Sequence, residues 1–210
     1  MRILYIDTSS SYLYLGIVEN SKLIDCVKKD FGHDLSRVTL PEMEELFKNN
    51  SIEPKSIDKI IVVNGPGSFT GIRIGITIAK IYAWSLNIDI TTISSIEAMM
   101  LSNKLETNIV PIIDARRGFV YCGIYNKDKN EIMRPRYMKY TDLKEELNKL
   151  EDYTYISNDE IEFDKECIKY DPDIEKIVSF YQDREAINPH IVNPEYLKLT
   201  EAEEKNKKNV

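Results

Sequence analysis

The sequence predicts an α/β fold of two tandem β-β-β-α-β-α halves, the second of them reduced. Three observations carry this. A β-branched run at 58–63 breaks at Asn64-Gly65-Pro66-Gly67 and passes into a helical pattern ending near Leu86, a strand–turn–helix unit. Short apolar strands separated by polar turns open the chain. The opening then returns: Ile113-Asp114, Tyr121 and Gly123-Ile124 repeat Ile6-Asp7, Tyr14 and Gly16-Ile17 at a constant offset of 107 (7 to 114, 14 to 121, 16 to 123), which reads as an internal duplication.

In chain order, Ile3–Asp7 and Tyr12–Val18 are apolar enough for buried strands, joined as a hairpin by Thr8-Ser9-Ser10-Ser11. A third strand follows at Lys22–Lys28. A helix lies within Leu35–Asn49, where Leu35, Val38, Met43, Leu46 and Phe47 form an apolar stripe. Pro41 interrupts that pattern and predicts a kink or a restart, with Thr39 and Glu42 as a capping box. Ile88–Ile93 is the next strand, and Ser95 caps a helix reaching about Asn103. The second half then reads as two strands of the repeat, a strand at 131–137, a helix at Thr141–Leu150 and a strand at 153–157. A last helix within Asp173–Arg184 is placed to cross back onto the first half. This is the layout of the actin/hexokinase/Hsp70-like (ASKHA) fold. The expected organisation is an N-terminal half at 1–105, a C-terminal half at 106–200 and a disordered tail at 201–210, where EAEEKNKKNV is almost free of apolar residues.

The helix after Gly67 has an unusual surface. Gly71, Gly75, Ala79 and Ala83 follow one another every four residues and make a ridge of minimal side chains. Glycine within a helix costs about 1 kcal/mol relative to alanine, so a neighbour must come close. The default neighbour is the protein's own sheet. Arg73, Thr77, Lys80 and Trp84 beside the ridge favour another chain instead, since Arg and Trp are common interface anchors. On that reading Gly75→Leu spares the fold and abolishes pairing. Ser68 or Thr70 caps the helix, whose first turn suits an anion. A Walker loop requires Lys after the second glycine, but Ile72-Arg73 follow Gly71.

Composition narrows the function classes. The chain has 210 residues, 42% hydrophobic and 30% charged, with a net charge of −7. That balance is unlike a protein that grips nucleic acid alone, so contact with RNA is expected through a partner. Apolar runs fall short of the roughly 20 residues of a membrane span. Cys26, Cys122 and Cys167 are widely spaced and read as reduced thiols of a cytoplasmic protein. His33 and His190 are isolated, which argues against zinc. Asp7 and Asp114 are equivalent carboxylates by the repeat. They serve either as magnesium-side acids of a small-molecule kinase or ATPase, or as turn residues accepting backbone amides. The turn reading is preferred, because neither hairpin carries the glycine- and threonine-rich continuation of a phosphate grip. Arg116 and Arg117 could meet an anion or be solvated. A metallopeptidase lacks its HExxH spacing, and the chain offers no complete catalytic constellation.

Four segments resemble the TsaB (YeaZ) family: GPGSFTGIRIG at 65–75, Ile6-Asp7-Thr8-Ser9, Ile113–Gly118 with Val120-Tyr121, and Pro194-Glu195-Tyr196-Leu197. The resemblance implies an accessory subunit of the bacterial tRNA threonylcarbamoyladenosine (t6A) machinery without activity of its own. It implies pairing through the N-terminal half with a homologous catalytic subunit, TsaD, which modifies adenosine 37 of tRNAs reading ANN codons. A P-loop ATPase, TsaE, would join the assembly, and the chain would form homodimers when the partner is absent. ATP or ADP and magnesium are expected only in that assembly, with tRNA met indirectly. The family's His-Ser pair is replaced here by Leu35-Ser36, and His33 is assigned no role.

Overall fold

The computed structural model describes residues 1–102 and 104–198. The first sheet contains β1 (Arg2–Asp7), β2 (Tyr12–Glu19), β3 (Lys22–Asp30), β4 (Lys59–Gly65) and β5 (Asp89–Ser94), ordered β3-β2-β1-β4-β5. Helices α1 (Leu35–Asn49), α2 (Phe69–Leu86) and α3 (Ser95–Leu101) are interleaved with it. The second sheet contains β6 (Asn108–Asp114), β7 (Phe119–Tyr125), β8 (Glu131–Lys139), β9 (Tyr153–Ser157) and β10 (Cys167–Lys169), ordered β10-β9-β6-β7-β8. Helix α4 (Tyr140–Leu147) precedes β9, and α5 (Ile174–Tyr181) follows β10. In each sheet the first three strands form an antiparallel meander, and the fourth returns parallel to the first. The two sheets therefore share one topology, that of the ASKHA fold.

Strand alternation divides the apolar residues among three cores. Leu4, Ile6, Leu13 and Leu15 pack against α1 and α2 on the outer face of the first sheet. Val110, Ile112, Cys122 and Ile124 pack with Leu143 and Leu147 of α4 outside the second. Between the sheets lie α3 and α5, whose Ile96, Met99, Ile177 and Tyr181 meet Ile3, Tyr5, Tyr14 and Ile109. Helix α5 does cross back: it contacts β1, β2 and β3, and Ile174 fills the space over Gly16. The chain after α5 continues along the first half as a strap. Lys59, 5% exposed, donates its ammonium to the carbonyls of Gln182 and Arg184. Beyond them Ile187 N donates to Ile90 O and Glu195 N to Asn64 O, both at 2.8 Å. Lys59→Met should leave both carbonyls unmet and cost about 1–3 kcal/mol, read as a lower urea midpoint at unchanged slope.

Several expectations are corrected. Helix α1 runs without a restart through Pro41. Thr39 forms no capping box; its hydroxyl donates to Leu35 O at 2.7 Å. Ser94, not Ser95, holds the cap position of α3 and makes no side-chain cap bond; the Ser95 hydroxyl donates instead to Pro66 O at 2.5 Å. Three-residue β10 has too few residues to show a period. The repeat is also one residue out of step. Asp7 faces Tyr14 across the first hairpin, whereas Tyr121 is faced by Ile113 and Asp114 by Val120. The second hairpin turn is one residue shorter, which changes the residue faced across the hairpin; Asp7 and Asp114 still end their strands alike, each accepting the amide two residues on, Ser9 N and Arg116 N, at 2.8 Å. Asn103 and the 201–210 tail lie outside the described residues.

Candidate partner surface and inter-sheet cleft

Everything at the N-terminus of α2 depends on how closely it approaches β1. Gly67, at φ 152°, has the carbonyl of Ser9 where a Cβ would stand, so only glycine fits. Ser68 N donates to Ser9 O at 2.7 Å, and the Ser68 hydroxyl accepts from Gly71 N at 3.2 Å, capping α2. Thr70 sits exposed in the first turn. Thr8 is wholly buried, and its hydroxyl is wedged into the hydrogen-bond ladder of α2. It donates to Gly71 O at 2.7 Å and accepts from Gly75 N at 3.1 Å.

This geometry overturns the open ridge. Gly71, Gly75, Ala79 and Ala83 are all buried, with α2 seated on β1 and β4. The small residues let the helix descend onto its own sheet, the default that the sequence had offered, and they present nothing to a second chain. Gly71, Gly75, Ala79 and Ala83 therefore leave the candidate partner surface.

The opposite side of α2 is the open one. Phe69, Ile81 and Trp84 are 60%, 56% and 68% exposed, and Arg73 and Thr77 lie exposed between them. The strap borders this strip. Arg73 stacks over Phe69 at 3.5 Å from the ring centroid and donates to the Tyr196 hydroxyl at 2.7 Å. Lys80 is half-buried and donates to the carbonyls of His190 and Val192 at 3.2 and 2.9 Å. Trp84 stands edge-on to His190 with ring centroids 6.2 Å apart. Lys80, Ile81, Trp84, Pro189 and His190 enclose a notch of about 160 Å³. Sequence reading found Arg73, Thr77, Lys80 and Trp84 and missed Phe69, Ile81 and Tyr196. The missed signal is that Phe69, Ile81 and Trp84 fall on the same side of α2 as Arg73 and Thr77 and so place large apolar side chains on its polar face.

Between the sheets is a cleft of about 500 Å³, bounded by Ser9–Ser11 and Ser68 on one side and by Asp114, Arg116 and Asp159 on the other. Asp114 accepts Arg116 N at 2.8 Å, and Arg116 and Arg117 turn the chain at φ 69° and 56°. Asp159, which the sequence reading missed, accepts Asp114 N at 2.7 Å; burial raises its pKa. Asp7 does not line the cleft. It is 2% exposed and accepts Ser9 N at 2.8 Å, with the Tyr5 hydroxyl at 3.5 Å. Asp7 is thus walled in, while Asp114 lines the cleft, and both fill the turn role that the sequence favours by accepting the amide two residues on.

Burial also pushes the Asp7 carboxyl above its ordinary value near 3.8. The folded state then holds a proton that the unfolded chain has released, so stability falls as pH rises from about 3.8 through the raised value. Asp7→Asn keeps an acceptor for Ser9 N and should remove this component. Urea unfolding at a series of pH values should show a flatter acid-side profile for the variant than for the parent chain.

A family model described as TsaD, tRNA N6-adenosine threonylcarbamoyltransferase, matches residues 30–204. The tRNA threonylcarbamoyladenosine biosynthesis protein TsaB of Bacillus subtilis is 30% identical, with 98% of this chain and 97% of that protein covered. The chain belongs to the TsaB family. Escherichia coli TsaB is 29% identical over 63% of this chain and 58% of its own length. Among solved structures, YeaZ from Pseudomonas aeruginosa superposes with a TM-score of 0.72 at 19% identity, covering 93% of this chain and 99% of that one, a likeness of fold. Both the TsaB-type signature at 65–75 and the TsaD model fall across α2, the helix with one face seated and one face open.

Proposed function

We propose that this TsaB-family chain is a non-catalytic subunit of tRNA threonylcarbamoyladenosine synthesis. It binds and activates a TsaD-like catalytic subunit, which modifies adenosine 37 of tRNAs reading ANN codons. The observation that carries this reading is the apolar strip Phe69–Ile81–Trp84, left exposed on a helix whose other faces are buried. Exposed apolar area of this kind is what an interface covers. Arg73 and Thr77 contribute polar contacts at its centre, and the strap around His190 and Tyr196 forms its border. In the absence of the catalytic subunit, the same strip pairs two copies of this chain.

The inactive assignment rests on Asp7, which is closed off beneath its own turn and does not line the cleft. Nucleotide and magnesium enter with the partner and with a TsaE-like P-loop ATPase, and tRNA is held by the partner, consistent with the net charge of −7. The site of action is the cytoplasm. Co-purification with a TsaD-like subunit, followed by measurement of t6A in transcript tRNA with and without this chain, tests the proposal. Modification that proceeds equally without the chain would overturn it. Calorimetry of the chain alone with Mg-ATP should give no heat of binding; tight binding would assign it an activity of its own.

A further inference from the structure

We propose that Arg73 selects the partner: the open face of α2 fits an apolar surface that brings a carboxylate to this guanidinium, which a second copy of α2 cannot do. This inference deepens the reading above and rests on it. Helix α2 has eighteen residues, with Arg73 and Lys80 as its cations and no Asp or Glu. The part of the strap bordering the strip, Pro189 to Tyr196, contains one acid, Glu195. Burial and the nearby Glu97 raise its pKa, and it forms no ion pair among the described residues. In a chain of net charge −7, the exposed strip is therefore locally cationic.

Arg73 is oriented but not neutralised. Its guanidinium lies 3.5 Å from the Phe69 ring centroid and gives an Nη2 proton to the Tyr196 hydroxyl at 2.7 Å. Among the described residues it makes no ion pair and no further hydrogen bond, so most of its N–H donors stay open. Any chain that covers Phe69, Ile81 and Trp84 also strips water from Arg73. An unpaired charge loses solvation that an opposite charge must replace, and a carboxylate matches the planar fork of arginine with two parallel hydrogen bonds. Held by the Phe69 ring and the Tyr196 hydroxyl, the guanidinium gives up little further freedom when that carboxylate arrives. Self-pairing through α2 instead sets the cations of one copy against those of the other, a like-charge arrangement that costs affinity. The homodimer is thus the weaker assembly. The two also differ in salt response, because screening weakens an opposite-charge contact and relieves a like-charge one.

The test pairs calorimetry against the TsaD-like subunit with sedimentation of the chain alone, each at about 0.05 and 0.5 M salt. Affinity for the subunit should fall with salt, and self-association should not. Arg73→Met keeps an unbranched stem over Phe69 and removes the charge. It should weaken the heterocomplex about thirtyfold or more without weakening self-association, and Arg73→Lys should recover part of the loss. On the subunit, one Asp→Asn or Glu→Gln change should reproduce the loss and combine with Arg73→Met non-additively. A complex that forms but ignores both salt and Arg73→Met would overturn this inference and leave the reading above standing. So would a subunit with no acid coupled to Arg73, or self-association lost in step with the heterocomplex. Absence of any complex would overturn both. Arg73 is exposed, so the variant should melt with the parent, and the salt comparison uses the parent chain in any case.

Discussion

Gly75→Leu is expected to unfold the protein rather than to spare the fold and block pairing. A Cβ at this position would stand 2.5 Å from Thr8 Oγ1 and 3.6 Å from Ile6 Cγ2, and the rest of a leucine would point into the first sheet. The Thr8 hydroxyl would have to leave Gly71 O and Gly75 N, adding unmet buried polar groups to the overpacking. Overpacking alone costs about 1–3 kcal/mol, and a stranded buried polar group about as much again. Together these remove much of a stability margin of roughly 5–15 kcal/mol. Thermal unfolding followed by circular dichroism should show a large fall in Tm or no cooperative transition. Thr8→Val, which keeps shape and loses the hydroxyl, should give a milder loss of about 1–3 kcal/mol. A Gly75→Leu chain melting with the parent would show that α2 does not sit where it is described.

Trp84→Ala should do the reverse, sparing the fold and breaking the complex. Trp84 is 68% exposed and its main contact is the edge of His190, so truncation takes little from the folded chain. An interface Trp of this kind is a candidate hot spot, where truncation costs about 2 kcal/mol or more, a weakening of about thirtyfold. Calorimetry against the TsaD-like subunit reads the affinity, and a melt of the isolated variant checks the fold. Ile81→Asp, in the same strip, should act in the same direction. Unchanged affinity in both variants would remove the open face of α2 from the interface.

Most of the architecture was legible because it rests on apolar runs, chain breakers and an internal repeat. The continuous apolar runs of β1 and β2, buried on both faces, the breaker at 64–67 and the recurrence of the opening hairpin specify two copies of one topology without tertiary information. What escaped depends on contacts far apart in the chain. A ridge of glycine and alanine announces a close neighbour but not which one, and the decision rests with Thr8, distant in sequence and able to reach into the helix ladder. The repeat matched Asp114 to Asp7 by letter, and both hold the same turn, but a second turn one residue shorter put Ile113 across from Tyr121. Asp159 carries no local signal. It matters because β9 ends beside β6, where it meets the amide of Asp114. Similarly, His190 and Tyr196 reach the border of the α2 strip through the strap and through bonds from Lys80 and Arg73, more than 100 residues earlier in the chain.

The placement of α5 and the strap bears on how the molecule is made. The inner side of the first sheet, including Ile3, Tyr14 and Gly16, is covered by a helix encoded some 160 residues later than Tyr14. During synthesis those strands leave the ribosome long before their cover exists, so the amino-terminal segment cannot complete its core ahead of the remainder, as independent domains ordinarily do. Nascent chains of this protein must therefore hold a sticky apolar face until translation is nearly over, and fragments stopped short of α5 should be clients for chaperones rather than miniature versions of the first half.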